Sequence, residues 1–506
     1  MSGDAGEGGL DGRFLAVVLV YLAALAVVGV RASRRVTTQN QFMVADRRTP
    51  AWMLVATLIC TWIGSGSIIA GAGLAYRVGL SQLWMGAGAW AGIACVYFLA
   101  GKVRRLSEYT LPDLLERRYH PAARLLGTIT IVIAYTTIAG YQFRGMGIVL
   151  ELVAGVPMAW GVTLTAALVA VYTCLAGMVS VIRLDVLNGA MILAGILVAV
   201  PMVIAGVGGW DGVRDALPAD HFTLFGPQEA RHMVLLGEEV APPGWIWALG
   251  VFLPVFLLLL GESNMYQKFF SAESESAARR AVVGWIAGTI VVETLLCVLA
   301  VAGSSRFTSL GEQGRTERII LHMARHGEEV GLPFWAGALL MCAAVAIIIS
   351  TANAFLLSPS TSLARDVVQR FLAPGIGDRA LLAMQRLFIL LLAALAYMML
   401  QFFPTVLAMA FTAYTFVGAG LTPAILAAFL WKRATAAGGV ASIAGGMAVT
   451  LAITVVNGYH QVSHGRPWLE TDYIVIPAAA ASILLLVTVS LLTPPPAEER
   501  WRPFAG

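Results

Sequence analysis

The chain has 506 residues, of which 58% are hydrophobic and only 12% charged, with a mean hydropathy of +0.79. A soluble globular domain carries about 25% charged residues, so this composition excludes one and describes a polytopic membrane protein embedded in a lipid bilayer. The net charge of +4 is small and scattered, which argues against a nucleic-acid partner. Five cysteines, Cys60, Cys95, Cys174, Cys297 and Cys342, all fall inside apolar runs and read as small buried hydrophobes, not as a disulfide or metal framework. Met1 to Arg13 is acidic and Gly-rich, without the basic start of a signal peptide, so the first apolar run is expected to persist as a helix.

Runs of about 20 apolar residues predict about thirteen helical spans, near 14–32, 52–76, 82–101, 125–153, 158–176, 184–208, 245–267, 281–303, 333–357, 381–402, 404–431, 436–457 and 472–493. With the N-terminus outside, 23 of the 33 Lys and Arg residues fall in inside connections or the tail, nine fall outside, and Arg144 lies within a span. The inside set includes Arg34, Arg35, Arg117, Arg118, Arg124, Lys268, Arg365 and Arg370. Because basic residues accumulate on the cytoplasmic face, the expected orientation in a cell membrane is N-terminus out and C-terminus cytoplasmic. The longer outside connections, 209–244 and 304–332, hold polar segments at Glu229 to Glu239 and Arg315 to Glu328 that suggest short surface helices acting as lids. Both chain ends, Met1 to Arg13 and Thr493 to Gly506, are expected to be loose.

The second span contains Gly64-Ser65-Gly66-Ser67 at its middle, where a helix gains nothing from these residues. Either they permit close helix packing, or the helix is interrupted there and frees the carbonyls of Cys60 and Ile63. Backbone freed in lipid is tolerated where it lines a cavity. The seventh span has a matching interruption at Gly261-Glu262-Ser263-Asn264. Each break opens a block of five spans, 52–208 and 245–431, and an odd count enters the second block from the opposite face. The pattern is that of two inverted five-helix repeats with discontinuous first helices, with 14–32 and 436–493 as additions in a single transport domain.

In span nine, Ser350 and Thr351 are adjacent hydroxyls deep in an apolar helix. Each can bond the carbonyl four residues back. Taken with the break, they instead assemble three carbonyls, from Cys60, Ile63 and Ile347, with two hydroxyls. Five neutral oxygens suit a weakly held monovalent ion, whereas calcium or magnesium calls for carboxylates. Sodium is the expected occupant.

Several segments together resemble the sodium:solute symporter family: Cys60 to Tyr76, Tyr109-Thr110-Leu111-Pro112-Asp113-Leu114-Leu115, Gly177 to Asn188 with Asp185, Tyr266-Gln267-Lys268-Phe269-Phe270-Ser271-Ala272, Ser350-Thr351, and Pro423 through Trp431 to Gly438. The resemblance spans nearly the whole chain in order. It implies an all-α LeuT-type fold, alternating access, and the main sodium site at Cys60, Ile63, Ile347, Ser350 and Thr351. In some members the residue matching Asp185 completes a second sodium site with hydroxyls of the span carrying Ser350. Here Asn353 and Ala354 stand where those members have serines, so one coupling ion is expected. Asp185 is otherwise a charge at the end of its span paired with Arg183.

Arg144 is costly within a span and needs a partner or a ligand. Either it pairs with Glu262 across the cavity, or it receives a substrate carboxylate, the favoured reading, as an arginine near this position does in the sialic-acid carriers. Glu262 receiving a cationic amine is the rival. Ser65, Ser67, Gln82, Tyr141, Gln142 and Asn264 complete the expected substrate set. Trp62 resembles an aromatic of the choline carriers, but the second break offers no tryptophan to complete a quaternary-ammonium cage. Glu293 stands alone in span eight, without an evident partner.

The functional expectation is a sodium-coupled symporter importing a small organic solute, not an enzyme. Proton coupling through Asp185, Glu262 or Glu293, or a transporter-like sensor, are the rivals. No Gly-x-x-x-x-Gly-Lys-Ser/Thr loop is present to hold ATP phosphates, which disfavours a primary pump.

Overall fold

The computed structural model describes residues 11–33, 38–175, 177–231 and 233–505. In hydrocarbon, a single segment satisfies its backbone by coiling into a helix, and these apolar runs do so. In chain order the main helices are α1 (Gly12–Ser33), α2 (Ala51–Trp62), α3 (Ala72–Val78), α4 (Leu83–Leu106), α5 (Leu111–Arg118), α6 (Pro121–Ala154), α7 (Met158–Leu175), α8 (Met178–Gly206) and α9 (Gly244–Gly261). They continue as α10 (Ser263–Ser271), α11 (Glu275–Ser304), α12 (Phe334–Ser362), α13 (Asp378–Met399), α14 (Val406–Gly420), α15 (Thr422–Leu430), α16 (Ala436–His464), α17 (Val475–Leu492) and α18 (Glu498–Ala505). Among the described residues, 11 helical runs are long and apolar enough to cross a membrane, and Ala51–Trp62 and Met158–Cys174 are shorter apolar helices. One of the long runs, Gly66–Leu106, contains the end of one crossing and the whole of the next. The architecture is therefore the expected all-α one.

Two crossings are interrupted. After α2, Ile63 leaves the helix with φ −73° and ψ 104°, and a wide turn over Gly66–Gly71 leads into α3. Between α9 and α10, Glu262 makes nearly the same departure, φ −74° and ψ 110°. Small residues bring the other helices close, as packing without a hydrophobic drive requires: a Cβ on Gly195 of α8 would lie 2.6 Å from that of Ala343 on α12, and one on Gly92 of α4 would lie 2.6 Å from Leu259 of α9. Leu19, Phe98, Leu197 and Leu484 are exposed, while Tyr135, Phe143, Trp285 and Phe411 are buried. Cys95 shares the exposed face and Cys174 is half-buried, so only three of the five free thiols are core residues.

Two expectations about the connections are corrected. Among the described residues of the segment Glu229 to Glu239, only the start is helical, in a single 3-10 turn at Gln228–Ala230; β1 (Met233–Leu235) and β2 (Glu238–Val240) form an antiparallel hairpin, with Val234 opposite Glu239. Leu236 and Gly237 both have positive φ, 55° and 81°, the geometry of a two-residue hairpin turn that ends any helix there. The C-terminal tail is not loose: α18 docks with Phe504 buried, its ring centroid 5.4 Å from that of Phe429, and Lys432 lies 4.7 Å above the Trp501 ring. Residues 1–10, Arg34 and Arg35 lie outside the described residues.

The Arg-rich connections are more structured than a solvated charge cluster. Arg124, near the start of α6, is buried and pairs with Asp113, with Glu116 at 2.6 Å and with Asp366 at 2.7 Å. Arg365 reaches Asp113 at 2.7 Å, Arg370 reaches Glu116 at 2.7 Å, and Thr110 donates to Asp366 at 2.9 Å. Burial raises the Glu116 carboxyl, but hydrogen bonds from Arg370 and Arg124 outweigh it and hold the group below the usual carboxylate range. The network fastens α5, α6 and the end of the α12 run to one another. Removing one member of such a cluster strands the others, at a cost of about 3–5 kcal/mol. Arg124→Met is expected to lower the melting temperature in detergent markedly, and adding Asp113→Asn and Asp366→Asn to restore part of the loss.

Candidate functional site

The break at Ile63 is confined to Ile63 and Gly64, with helix resuming by Gly66, and it falls where another helix presses against the chain. A Cβ on Gly64 would lie 2.9 Å from both Gln142 Nε2 on α6 and Thr351 Cγ2 on α12. Only glycine admits this approach. The amides of Ser67 and Ile68 bond the carbonyl of Gly64, at 3.0 and 3.1 Å, and the amide of Ser65 donates to Gln142 Oε1 at 2.8 Å. The carbonyls of Cys60 and Ile63 point instead at α12, where the Thr351 hydroxyl lies 3.1 Å from the first and 3.0 Å from the second. Ile347 is buried on the same helix one turn before Thr351. Ser350, also buried, turns its hydroxyl onto the carboxylate of Asp185.

Asp185 is not paired with Arg183, which is exposed. It is buried on α8 and accepts hydrogen bonds from Thr57 of α2 and Ser350 of α12, while its own carbonyl faces the Cys60 thiol at 3.1 Å. Asn353 takes no part: Thr173 of α7 donates to its Oδ1 at 2.7 Å. The positive charge nearest this group was missed in the sequence, where Lys268 counted as a residue of a basic connection. Lys268 is buried on α10, and its ammonium donates to the Thr57 carbonyl at 2.7 Å and to the Thr61 hydroxyl. Its charge acts on both Asp185 and Glu262. The spacing of Thr57, Cys60 and Thr61 on one face of α2 was the available signal.

The expected substrate set divides. Ser67 and Gln82 line a cavity with Trp62, Gly86, Glu293 and Tyr414. Tyr141 borders it through Tyr414, with the two hydroxyls 3.4 Å apart. Ser65 and Gln142 form the packed wall at the break, with Ser65 Oγ and Gln142 Nε2 buried and unpartnered. Glu262 and Asn264 are buried at the second break, where the Asn264 amide faces the Tyr135 hydroxyl at 3.4 Å and Glu262 Oε1 has no hydrogen-bond partner.

Arg144 joins neither group, and the alternative pairing with Glu262 is not made either. Its guanidinium donates to the carbonyls of Leu400, Phe403 and Pro404, at 3.0, 2.9 and 3.0 Å, satisfying the 3-10 turn that follows α13 and the loop beyond it. The adjacent Glu317 accepts from the amides of Val406 and Leu407 at 3.4 and 3.2 Å, capping the start of α14. Burial raises the Glu317 carboxyl, against the pull of those amides and of Arg144. Arg144 thus closes a helix end. Arg144→Ala is expected to cost about 1–3 kcal/mol of stability, seen as a lower melting temperature, while any sodium-induced rise keeps its size; loss of that rise would tie Arg144 to the ion site, against the helix-end role.

The chain and its fold have counterparts among known proteins. The model of the sodium:solute symporter family matches residues 42–446. The sodium/pantothenate symporter of Escherichia coli (strain K12) is 26% identical over 360 residues, covering 70% of this chain and 71% of that protein. An osmoregulated proline transporter of Bacillus subtilis (strain 168) is 24% identical, with 85% and 87% covered, and the sodium/glucose cotransporter of Vibrio parahaemolyticus is 24% identical, with 86% and 84% covered. Among solved structures, the outward-open, substrate-bound state of a sodium-coupled sialic acid symporter superposes with a TM-score of 0.79 at 16% identity, over 96% of this chain and 98% of that one. A nucleobase-cation-symport transporter in a closed conformation follows the same fold with a TM-score of 0.57 at 13% identity, covering 92% and 97%. With the family's pattern matched across most of its length and the interrupted helix in place beneath it, this chain belongs to the sodium:solute symporter family.

Proposed function

We propose that the protein imports a small organic solute together with sodium, by alternating access, with its N-terminus outside and its C-terminus in the cytoplasm. The observation that carries this reading is the meeting of the Thr351 hydroxyl with the carbonyls of Cys60 and Ile63. These are uncharged oxygens converging from two helices on one point in an otherwise apolar crossing. Sodium binding there, with Ile347 and Ser350 completing the set, ties α2 to α12 and stabilises the loaded form. One positive charge moving inward through 100 mV supplies roughly 2.3 kcal/mol before any concentration gradient is added.

One ion per cycle is favoured. Asp185 already receives Thr57 and Ser350 and lies within the field of Lys268, and position 353 carries an amide engaged by Thr173 in place of a hydroxyl. The carboxylate preference for the solute rested on Arg144, whose donors are engaged elsewhere. A carboxylate on the solute would be met by neutral groups such as Ser67 and Gln82.

A ligand that binds only the folded state at 100 times its dissociation constant stabilises by about 2.7 kcal/mol. Sodium, compared with choline at equal ionic strength, is therefore expected to raise the melting temperature of the purified protein with a Hill coefficient of about 1. Ser350→Ala with Thr351→Ala is expected to abolish the rise. A full sodium response in the double variant would place the ion elsewhere.

A further inference from the structure

Among the described residues, Glu293 is the one carboxylate lining the cavity formed by Trp62, Ser67, Gln82, Gly86 and Tyr414. It projects from the middle of α11, and two indoles hold it: Trp62 Nε1 donates to Oε1 at 2.8 Å and Trp90 Nε1 to Oε2 at 2.9 Å. A Cβ on Gly86 would lie 3.2 Å from Oε2, so the adjoining helix keeps a glycine where the carboxylate sits. Both tryptophans are neutral donors, and among the described residues no basic side chain forms an ion pair with Glu293. Two basic groups that lie within neighbouring crossings are committed: Lys268 to Thr57 and Thr61, Arg144 to the carbonyls beyond α13.

A carboxylate has about four acceptor positions, and the indoles use two. The others remain for whatever enters the cavity. Burying such a group without a counter-charge is expensive, and an intramembrane acid kept at that cost marks a place where something positive arrives. The aromatic rings of Trp62 and Tyr414 beside it add faces that attract a cation.

We propose that Glu293 is the charged anchor of the solute site and that the transported solute presents a protonated amine to it. The inference rests on the sodium-symport reading and deepens it. Trp62 immediately precedes Ile63, so the residue that fixes one oxygen of Glu293 is joined by one peptide bond to a carbonyl of the ion site. Ordering of the break by sodium thus also sets the position of the anchor. The free space between the lining residues is about 20 Å³, room for about one water molecule. An amine-bearing solute enters only when the walls of this cavity move apart.

The test uses the full chain in liposomes, recording currents on a solid-supported membrane under an inward sodium gradient. The probes are small amines and amino acids, each matched with the alcohol or carboxylate that replaces its amine on the same carbon skeleton. The expected result is sodium-dependent current from amine-bearing members alone. Glu293→Gln should abolish it or raise the half-saturating concentration at least about tenfold, with Glu293→Asp intermediate. Sodium-induced thermal stabilisation, measured on the same Glu293→Gln protein, should persist and show that it is folded with its ion site intact. The proposal is overturned if amine-free members drive the larger currents, if no amine in the set is carried, or if Glu293→Gln carries amines with wild-type half-saturation. It is equally overturned if that variant loses only a dependence on external pH, which would make the carboxylate a proton carrier. Absence of any sodium effect on wild-type melting would instead sink the symport reading beneath it.

Discussion

Backbone carbonyls released in mid-crossing must find a partner, because hydrocarbon offers none. At Ile63 that partner is a single threonine hydroxyl on another helix, placed between the carbonyls of Cys60 and Ile63. The rest of the arrangement serves this junction. Gly64 removes the side chain that would hold α12 away, Gln142 takes the amide of Ser65, and the glycine seam at Gly195 sets α12 against α8 so that Ser350 reaches Asp185.

Four buried acids and bases around the two breaks are treated in different ways. Asp185 is hydrogen-bonded by hydroxyls from two helices, Lys268 is satisfied by a carbonyl and a hydroxyl of α2, Glu262 keeps one oxygen unpartnered, and Glu293 is held by indoles. No pair among them touches as an ion pair among the described residues. Opposite charges acting through low-dielectric protein without contact keep each group separately available. By contrast, the Arg124 cluster locks its carboxylates into direct contact.

The features legible in the sequence were those whose cause is local. A cluster of glycines and serines inside an apolar run announces a break, and adjacent hydroxyls deep in another run announce polar work to be done there. That Thr351 meets Cys60 and Ile63 followed from these two patterns together with a family resemblance. Side-chain direction was not legible. Arg144 lies two and three residues past Gln142 and Tyr141, and the turn of the helix sends them to different neighbours: the earlier two into the core, the arginine to a helix end. The partners of Glu293 come from 231 and 203 residues away in the chain, a pairing that no periodicity encodes. Lys268 read as a loop residue because a basic side chain near the end of an apolar run is usually solvated, and only the packing of α10 on α2 shows otherwise.

That lysine also limits how the molecule can flex. Its ammonium rivets α10, the second half of one interrupted crossing, to α2, the first half of the other, and the Thr49 amide and carbonyl join the Ser271 carbonyl and Glu273 amide a few residues away, each at 3.0 Å. Two hinges so fastened do not swing independently. Tilting either half-helix while these bonds hold pulls on the other, as on a shared lever.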